Sequence, residues 1–521
     1  MKKRIFWLGL ALVAGSAGHA FAQGPTDALR YSRLQFGGPA RTLGIAGANV
    51  ALGADFGNLS SNPAGLGLYQ KSEFHVTPGV GFGRSEGRLE GNASSALEAT
   101  KNSFHIASGG LVFTTRRADS DQETNWRGGS FALGFSRVAD FNTSSNYQGT
   151  LTNNQSFLSR LRPEVGARGQ AFFDNLDQQV DDNDYRTDLG LAYGAYLANV
   201  VVGRNRLDSA VVLRQQGSQL NQGELVTNSG SVSQFDLGYG GSYRDRLYIG
   251  GAIGIVSSNF TQTRALTEGD TDFNTHFIGL RSRSELQTKG SGINARLGLI
   301  YRANDKLRVG ASVQTPTFMR FTDTFGESLT SNFSAQGTDR VPPDLPVGET
   351  TVTASYPDYA YNLTTPFRAN GGVALTLGKY GFVTGDVEFV GYGQARLNND
   401  AEDANGDDYS FSAENNDIKT RYQSAVNLRF GAEGRFDIFR ARLGFARYGD
   451  PYKADAGFDR AQNYYTGGLG LRQGNFFIDA AAVYTSFNQI DVPYDLENNL
   501  QPVVKVNNNR FTTSLTAGFT F

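Results

Sequence analysis

The sequence contains no cysteine and only four histidines among its 521 residues. Without cysteine the chain can form no disulfide, no thiolate metal site and no cysteine nucleophile. Its 48 basic and 50 acidic residues give a formal net charge of −2, so no basic field indicates nucleic-acid binding. After residue 22, no apolar run reaches the roughly 18 residues that a transmembrane helix needs. These absences argue against a nucleic-acid-binding protein and against a helical membrane protein.

The few histidines form no pattern that indicates catalysis or metal binding. His75 and His105 fall on the first two predicted strands and could neighbour each other, but no G-x-S-x-G or equivalent motif lies near them. The acidic run at 398–408 lacks the spacing and the terminal Glu of an EF-hand, so we interpret it as a solvated loop. The sequence therefore predicts no enzyme, no metal site and no cofactor.

The first residues have the organisation of a secretory signal peptide. A basic start, Lys2 to Arg4, precedes a short apolar run and an Ala20-Phe21-Ala22 cleavage pattern. We expect residues 1–22 to be removed and the mature chain to be exported.

Glycine and aromatic residues are abundant, with 64 glycines and 12% aromatics, which favours short strands and turns over packed helices. The last residues, RFTTSLTAGFTF, alternate strictly between apolar and small polar side chains. One face of this segment carries Phe511, Thr513, Leu515, Ala517, Phe519 and Phe521. A lipid-facing barrel strand has this length and alternation. The terminal Phe519 and Phe521 resemble the signal recognised by the outer-membrane barrel assembly machinery, which we expect as a partner during biogenesis.

The same alternation recurs in fourteen segments. They start near Glu73, Ser103, Gly129, Ser233, Leu247, Gly292, Leu307, Phe367, Gly381, Tyr422, Ile438, Tyr464, Phe476 and Arg510. Very short connections, such as 244–246 and 303–306, alternate with long polar ones, such as 261–287 and 321–366. Outer-membrane barrels have this asymmetry of turns and loops. The sequence therefore predicts an all-β fold: a transmembrane antiparallel β-barrel of about fourteen strands over 73–521.

One connection is much longer than the others. Residues 142–231 contain apolar positions near helical spacing, and a loop of this length should have structure of its own. We predict an extracellular insertion that is partly helical. If 186–200 and 207–215 are strands instead, the barrel has sixteen strands.

Residues 23–72 do not alternate and are rich in glycine and alanine, with too few large apolar side chains for a core of their own. A barrel of fourteen strands has a lumen too wide for its own side chains to fill. We predict that this segment is a hatch inside the lumen, with a turn at Asn62, Pro63, Ala64 and Gly65. Pro63 should hold Asn62 extended, while Gly65 and Gly67 should permit a sharp return of the chain.

Inward-facing charges occur on several predicted strands. We expect them to form a network of ion pairs that braces the lumen and the hatch, made of Arg296, Arg308, Asp386, Glu388, Arg429, Glu433 and Asp479.

The run GIAGANVALGADFGNLSSNPAGLG, just before the first strand, resembles the hatch of the FadL/TodX family of outer-membrane transporters for hydrophobic compounds. Asn62, Pro63 and Ala64 match the Asn-Pro-Ala turn of that family, and the Gly/Ala-rich run from Gly44 to Asp55 also fits. Segments at 304–316, 365–375, 382–392 and 428–445 extend the resemblance over most of the mature chain.

The resemblance implies passive uptake of a hydrophobic ligand, such as a fatty acid or an aromatic hydrocarbon, with lateral exit into lipid beside the third strand. On that strand, Gly128, Gly129 and Phe131 are the candidate exit residues, since glycine in a strand can mark a bend. An alternative is a barrel without transport activity that serves as a partner of a secretion channel or in surface assembly, with 142–231 as its docking surface.

Overall fold

A computed structural model describes residues 24–521, except for 92–93, 95, 119, 122, 153–154, 165–169, 204–205, 213–218, 272–274, 338–344, 401–408, 454–457 and 497–499. The predicted signal peptide, residues 1–22, lies outside the described residues. Most of the acidic run at 398–408 also lies outside them.

Fourteen antiparallel strands form a closed barrel, as the sequence predicts. The first seven strands are β1 (Glu73–Leu89), β2 (Leu97–Arg116), β3 (Trp126–Asp140, continued by Thr143–Thr152), β4 (Gln219–Tyr243), β5 (Leu247–Asp270), β6 (Phe277–Arg302) and β7 (Leu307–Gln314, continued by Phe318–Phe333). The other seven are β8 (Gly348–Ser355, Tyr359–Thr364 and Arg368–Thr376), β9 (Gly381–Gly391, continued by Arg396–Asn399), β10 (Ser424–Phe436), β11 (Phe439–Tyr448), β12 (Gln462–Gln473), β13 (Phe476–Asp491) and β14 (Val504–Thr520). Strands β1 and β14 pair from Glu73↔Thr520 to Leu89↔Val504 and so close the sheet.

Alternating side chains separate an apolar outside from a polar inside. On β6, Leu297 and Leu299 are 65% and 43% exposed, whereas the intervening positions point inward and Arg296 is 3% exposed. The same outward apolar belt includes Phe74, Phe104, Ile253, Val387, Phe430, Leu443, Leu469, Ile478 and Leu515. A belt of this kind faces lipid, and the charged positions face the lumen.

Short turns lie at one end of the barrel and long loops at the other. The short-turn end includes the connections 244–246 and 303–306, and the long-loop end includes the connection between β3 and β4. The strands are longer than predicted, because β5 continues to Asp270 and β6 begins at Phe277, within the predicted loop 261–287. Beyond the apolar belt both faces of a strand are polar, so the alternation that marks a strand in the sequence disappears there.

The boundaries of the predicted insertion, 142–231, need correction for the same reason. Its two ends are paired strand, from Thr143↔Asn228 to Thr152↔Gln219. Between them lie a 3₁₀ helix (Phe157–Glu164), helix α4 (Gln170–Asp181), helix α5 (Asp188–Gly194) and a hairpin (Ala198–Gly203 with Arg206–Val212). The hairpin forms a separate two-stranded sheet, so the alternative of sixteen barrel strands is wrong.

The helical part of this connection, which we name the cap (described residues of 155–198), has its own apolar core. Side chains such as Leu158, Leu161, Leu189 and Leu191 are buried at 0–2% exposure. They pack against wall residues of β5 to β8, including Leu266, Phe277, Leu329 and Val352. The cap is therefore joined to one side of the long-loop end.

Residues 24–72, the N-terminal segment, contain helices α1 (Pro25–Ser32), α2 (Ala40–Gly44) and α3 (Asn58–Ser61) and a 3₁₀ helix (Pro63–Leu68). A further helix, α6 (Ser412–Arg421), follows β9. Among the described residues, no helix is both long enough and apolar enough to cross a bilayer. The segment contacts inward-facing residues of β4, β5, β6, β12 and β13, which places it within the ring of strands.

Candidate functional site: the lumen and a break in the barrel wall

A row of three inward-facing glycines receives the turn at Asn62. Gly240, Gly250 and Gly298 are register partners on β4, β5 and β6. A Cβ atom at Gly240 would lie 2.6 Å from the Pro63 carbonyl oxygen, and one at Gly250 or Gly298 would overlap Pro63 or Asn62. Only glycine lets the backbone of the N-terminal segment lie this close to the wall.

The Asn62 side chain fixes the turn on this row of glycines. Its amide nitrogen donates to the carbonyl oxygens of Val50 at 2.7 Å and Leu299 at 3.1 Å, while its oxygen accepts from the Ala64 amide at 3.2 Å. Asn62 is fully buried and extended (φ −149°, ψ 97°), the conformation that a following proline favours. One side chain therefore links two parts of the segment to β6.

The glycines of the turn act differently from the prediction. Gly65 and Gly67 both have negative φ, so neither supplies a left-handed return. Instead, a Cβ at Gly65 would lie 2.5 Å from the Asn58 side chain, and one at Gly67 would lie 2.7 Å from the Gly241 carbonyl oxygen. These glycines are needed for close packing.

Inward glycines elsewhere on the wall receive other parts of the segment. On β10 and β11, Gly431 and Gly444 are register partners, and a Cβ on either would lie within 2.7 Å of Ile45. On β8, a Cβ at Gly372 would lie 2.9 Å from the Val50 Cβ. The segment is therefore seated on several sides of the lumen.

The seven predicted lumen charges lie inside the barrel in separate groups. Arg296 donates to Asp236 at 2.7 Å. Glu388 accepts from Arg429 at 2.6 Å and pairs with Arg368 at 3.2 Å. These pairs lie between neighbouring or nearby strands, so each braces the wall.

Two of the predicted charges hold the N-terminal segment directly. The Asp386 carboxylate accepts from the Val50 amide at 2.9 Å, and Arg308 donates to the Leu52 carbonyl oxygen at 2.5 Å. The segment thus depends on β7 and β9 for its polar contacts as well as on the glycines.

Sequence reasoning missed Arg442, the residue that joins the predicted lumen charges Glu433 and Asp479. Arg442 on β11 is buried, and it donates to Glu433 at 2.8 Å and to Asp479 at 2.7 Å. Arg41 of the N-terminal segment lies 3.6 Å from Glu433 and 3.5 Å from Asp55. The alternation of Ala441, Leu443 and Phe445 with their neighbours could have identified Arg442 as inward.

The two histidines of β1 and β2 do not neighbour each other, because His75 pairs with Gly110 while His105 pairs with Gly79. His75 lies 2.9 Å from Ser108 Oγ and 3.9 Å from Glu73, an order of groups reminiscent of a hydrolase triad. Ser108 and His75 are fully buried and Phe56 lies against the His75 ring, so this arrangement has no route for a substrate. In the described part of the chain, no three His, Asp or Glu side chains are grouped to bind a metal.

A cavity of about 800 Å³ lies between the N-terminal segment and the wall. Its apolar lining includes Leu29, Phe36, Phe141, Phe260 and Leu286. The charged side chains that line it, among the described residues, are Arg30, Arg33, Arg84, Arg137, Arg264, Arg421, Arg460, Arg510, Asp27, Asp140, Asp491 and Asp495. Its size suits a small molecule, and its lining combines apolar surface with more arginines than acids.

The wall is interrupted beside this cavity. The pairing of β2 with β3 extends from Arg116↔Gly128 to Ser108↔Ser136 and stops there, although β2 continues to Leu97. His105 and Ala107, at the start of the part of β2 that pairs with β1 but not with β3, line the cavity. The cavity therefore reaches the break between β2 and β3.

The break exists because the second part of β3 lies on the inner face of β1. A Cβ at Gly87 of β1 would overlap the Asn146 carbonyl oxygen, so glycine lets the two backbones meet. Tyr147 and Leu151 of β3 pack there with Leu89 of β1, and Val504 and Val506 of β14 complete the cluster. The second part of β3 thus stays paired with β4 but turns inward, away from β2.

The predicted exit residues do not lie at this break. Gly129 and Phe131 pair with Thr115 and Phe113 on β2 and with Gly241 and Tyr239 on β4. Gly128 does mark a bulge, with φ +139°, but it lies at the short-turn end of β3. Glycine content does not show where pairing stops, and the position of a lateral exit stays a prediction.

The C-terminal aromatic residues lie at the short-turn end. Phe521 and Ser72 exchange backbone hydrogen bonds at 3.0 Å, and the ring of Phe519 lies 5.1 Å from that of Phe476. Their role as an assembly signal stays a prediction.

One buried carboxylate joins the cap to the wall. Glu327 on β7 accepts from Tyr356 at 2.8 Å and faces Asp188, which pairs with Arg160. Burial and the Asp188 charge raise the pKa of Glu327 from 4.5 to about 7. Because the folded state holds this proton more tightly than the unfolded chain, stability is greatest below the ordinary pKa and falls as the pH rises through about 7.

We therefore expect the cap to open more readily at neutral pH than in mild acid. Hydrogen exchange of peptides from 157–194, corrected for intrinsic rates, should be slower at about pH 5 than at about pH 8. Glu327→Gln should remove this difference, whereas Glu285→Gln, at an exposed site on β6, should keep it. Equal exchange at both pH values in the unmodified protein would contradict the assignment.

Two solved structures share this architecture. The toluene transporter TodX of P. putida matches with a TM-score of 0.51 and 12% identity, over 93% of this chain and 99% of the other. A Pseudomonas aeruginosa FadL homologue matches with a TM-score of 0.51 and 11% identity, over 94% and 99%. The chain is therefore a transmembrane β-barrel with the fold of these transporters. No family model and no curated protein matches its sequence.

Proposed function

We propose that this protein takes up hydrophobic small molecules across the bacterial outer membrane by passive diffusion. The observation that carries the proposal is the cavity of about 800 Å³ that reaches the break between β2 and β3. A ligand would enter from the long-loop end, which faces the cell exterior, and would leave sideways into lipid. A lateral exit spares an apolar molecule the transfer into water that a simple pore would require.

In this proposal the N-terminal segment is the hatch. It fills the lumen on the short-turn side, and its gate is the turn at Asn62, Pro63, Ala64 and Gly65, which is seated on β4 to β6. A seated hatch prevents leakage of ions, since a barrel of this width is otherwise open to water. The ligand therefore moves along the hatch to the wall break.

The lining of the cavity supports a particular kind of ligand. Aromatic and aliphatic side chains line it together with eight arginines and four aspartates. A surplus of guanidinium groups in a partly apolar cavity favours a molecule with an apolar body and an anionic group, since charge-assisted hydrogen bonds are the strong ones. We therefore propose amphiphilic acids as ligands ahead of unsubstituted hydrocarbons.

Blocking the cavity at the wall break tests this function. Ala107 is buried and lines the cavity, whereas Ile106 beside it is 39% exposed on the lipid side. We expect Ala107→Trp to lower uptake of a fluorescent fatty acid by about tenfold or more, and Ile106→Trp to leave uptake unchanged. Uptake into cells or proteoliposomes measures the effect, and equal uptake by both variants would remove the break from the route.

The alternative, a partner of a secretion channel or of surface assembly, makes a different prediction. It requires a stable complex through the cap, whereas the transporter retains a small molecule. We expect native mass spectrometry of the purified protein to show a bound amphiphile; a stoichiometric secretion subunit and no such ligand would favour the alternative.

A further inference from the structure

Arg510 on β14 spans the break in the wall. Its guanidinium donates to Ser103 Oγ on β2 at 2.7 Å, to Asp140 Oδ2 on β3 at 2.7 Å and to the Asn142 carbonyl oxygen at 2.7 Å. Ser103 belongs to the part of β2 that has no ladder partner on β3, and Asp140 and Asn142 belong to the bend where β3 turns inward. One side chain therefore joins the two margins of the break.

The wall is shaped to hold this side chain. Gly81 of β1 lies beneath it, and a Cβ there would overlap the guanidinium nitrogen. The Arg510 side chain is 13% exposed, so most of it is removed from solvent. The planar guanidinium has five donors in a fixed fork, which suits it to hold three acceptors on β2 and β3 at once.

The charges around Arg510 allow it to release some of its hydrogen-bond acceptors while it stays near Asp140. Asp140 is shared, since Arg137 also lies 3.1 Å from its carboxylate. Two guanidinium groups therefore face one carboxylate, beside His105, which also lines the cavity. Arg510 can give up Ser103 and Asn142, which are neutral acceptors, at a lower cost than a fully matched ion pair would require.

We propose that Arg510 is a positioning residue that holds the break closed, and that opening requires its bonds to Ser103 and Asn142 to be released. This inference rests on the proposed function, since a closed break matters only if ligands leave through it. Opening then separates β2 from the bend of β3, while the ladder between β2 and β3 from Ser108↔Ser136 to Arg116↔Gly128 remains intact.

Spin labels test the closure without any ligand. The chain has no native cysteine, so Thr100→Cys on β2 and Gln148→Cys on β3 give a clean labelling pair. In Arg510→Met we expect the distance distribution between the labels to lengthen and broaden. Lys505→Met is the matched control, because Lys505 lies on the same strand, is exposed and pairs with Glu90 away from the break. An unchanged distribution in Arg510→Met would overturn the proposal.

Uptake provides the second measurement. We expect Arg510→Met to raise uptake of a bulky fluorescent fatty acid about tenfold, a barrier change of about 1.4 kcal/mol. Arg510→Lys keeps the charge but not the fork, so it should give an intermediate rate. Heat-dependent mobility on gels confirms that each variant is folded. If the unmodified protein takes up no probe, the proposed function fails while the label distances still test the bridge; if it takes up probe and Arg510→Met neither speeds uptake nor moves the labels, the bridge fails.

Discussion

Gly250→Val should unseat the N-terminal segment and turn a closed barrel into a conducting one. Any Cβ at this position would overlap the carbonyl group of Pro63, and backbone cannot move aside as a flexible side chain can. The ladders that join β5 to β4 and β6 are backbone hydrogen bonds and do not depend on the side chain at position 250, so the wall should still form. We expect conductance in planar bilayers to rise by an order of magnitude or more, since a barrel of this width without its filling holds a water channel.

Gly251→Val is the matched control for this experiment. Gly251 lies next to Gly250 but faces lipid, where a Cβ would meet only the end of Leu297 at 3.4 Å and the Arg296 carbonyl oxygen at 3.6 Å. The Gly251→Val barrel should therefore fold and remain closed to ions. A folded Gly250→Val barrel that stays closed to ions would show that the segment does not seal the lumen.

Arg442→Met should cause the largest loss of stability of any single charge removal at the short-turn end. Arg442 is fully buried, and its loss leaves the carboxylates of Glu433 and Asp479, at 5% and 1% exposure, without their shared partner. Breaking a buried ion pair from one side costs about 3–5 kcal/mol because the remaining charge is not solvated. We expect the lower end of this range, because Glu433 keeps Arg435 at 2.8 Å and Asp479 keeps Arg472 at 3.5 Å. Denaturant unfolding in detergent or lipid measures the free energy of unfolding.

Arg447→Met is the control, because it removes an exposed arginine from the same strand and so separates the effect of burial from the effect of charge. Arg447 is 47% exposed and pairs with the exposed Asp459, so its removal should cost less than about 1 kcal/mol. Adding Asp479→Asn to Arg442→Met should recover part of the lost stability, because a neutral amide is easier to bury. Equal losses in Arg442→Met and Arg447→Met would show that the buried cluster does not brace the wall.

The barrel was predictable because lipid imposes a simple rule on the sequence. Each spanning segment must alternate apolar and polar side chains, and segments such as RFTTSLTAGFTF alternate in this way over their whole length. The rule weakens beyond the belt, which is why the continuation of β5 to Asp270 and the paired ends of the 142–231 region were predicted as loops. Arg442 and Asp236 lie at inward positions of the same alternation, so the sequence could have identified both as lumen residues.

The seating of the N-terminal segment was only partly predictable. Its small residues and the Asn62-Pro63 pair indicated a compact turn in the lumen, and Asn62 is indeed extended and buried. The glycines that receive it, Gly240, Gly250 and Gly298, lie about sixty residues apart at most in sequence and align only when β4, β5 and β6 pair in their register. A glycine in a strand gives no sign of what will lie against it.

The sequence by itself indicated a barrel of about fourteen strands, with sixteen left open, and the direction of the strand faces, because alternation is a local property of the chain. The small side chains of 23–72 indicated a hatch, which stays a prediction. Only the tertiary structure decided where the wall is interrupted. The break between β2 and β3 depends on how far their ladder extends and on the inward turn of β3 over Gly87, and Arg510 meets Ser103 across some four hundred residues of chain. Such contacts arise from the closure of the whole sheet, so no local pattern records them.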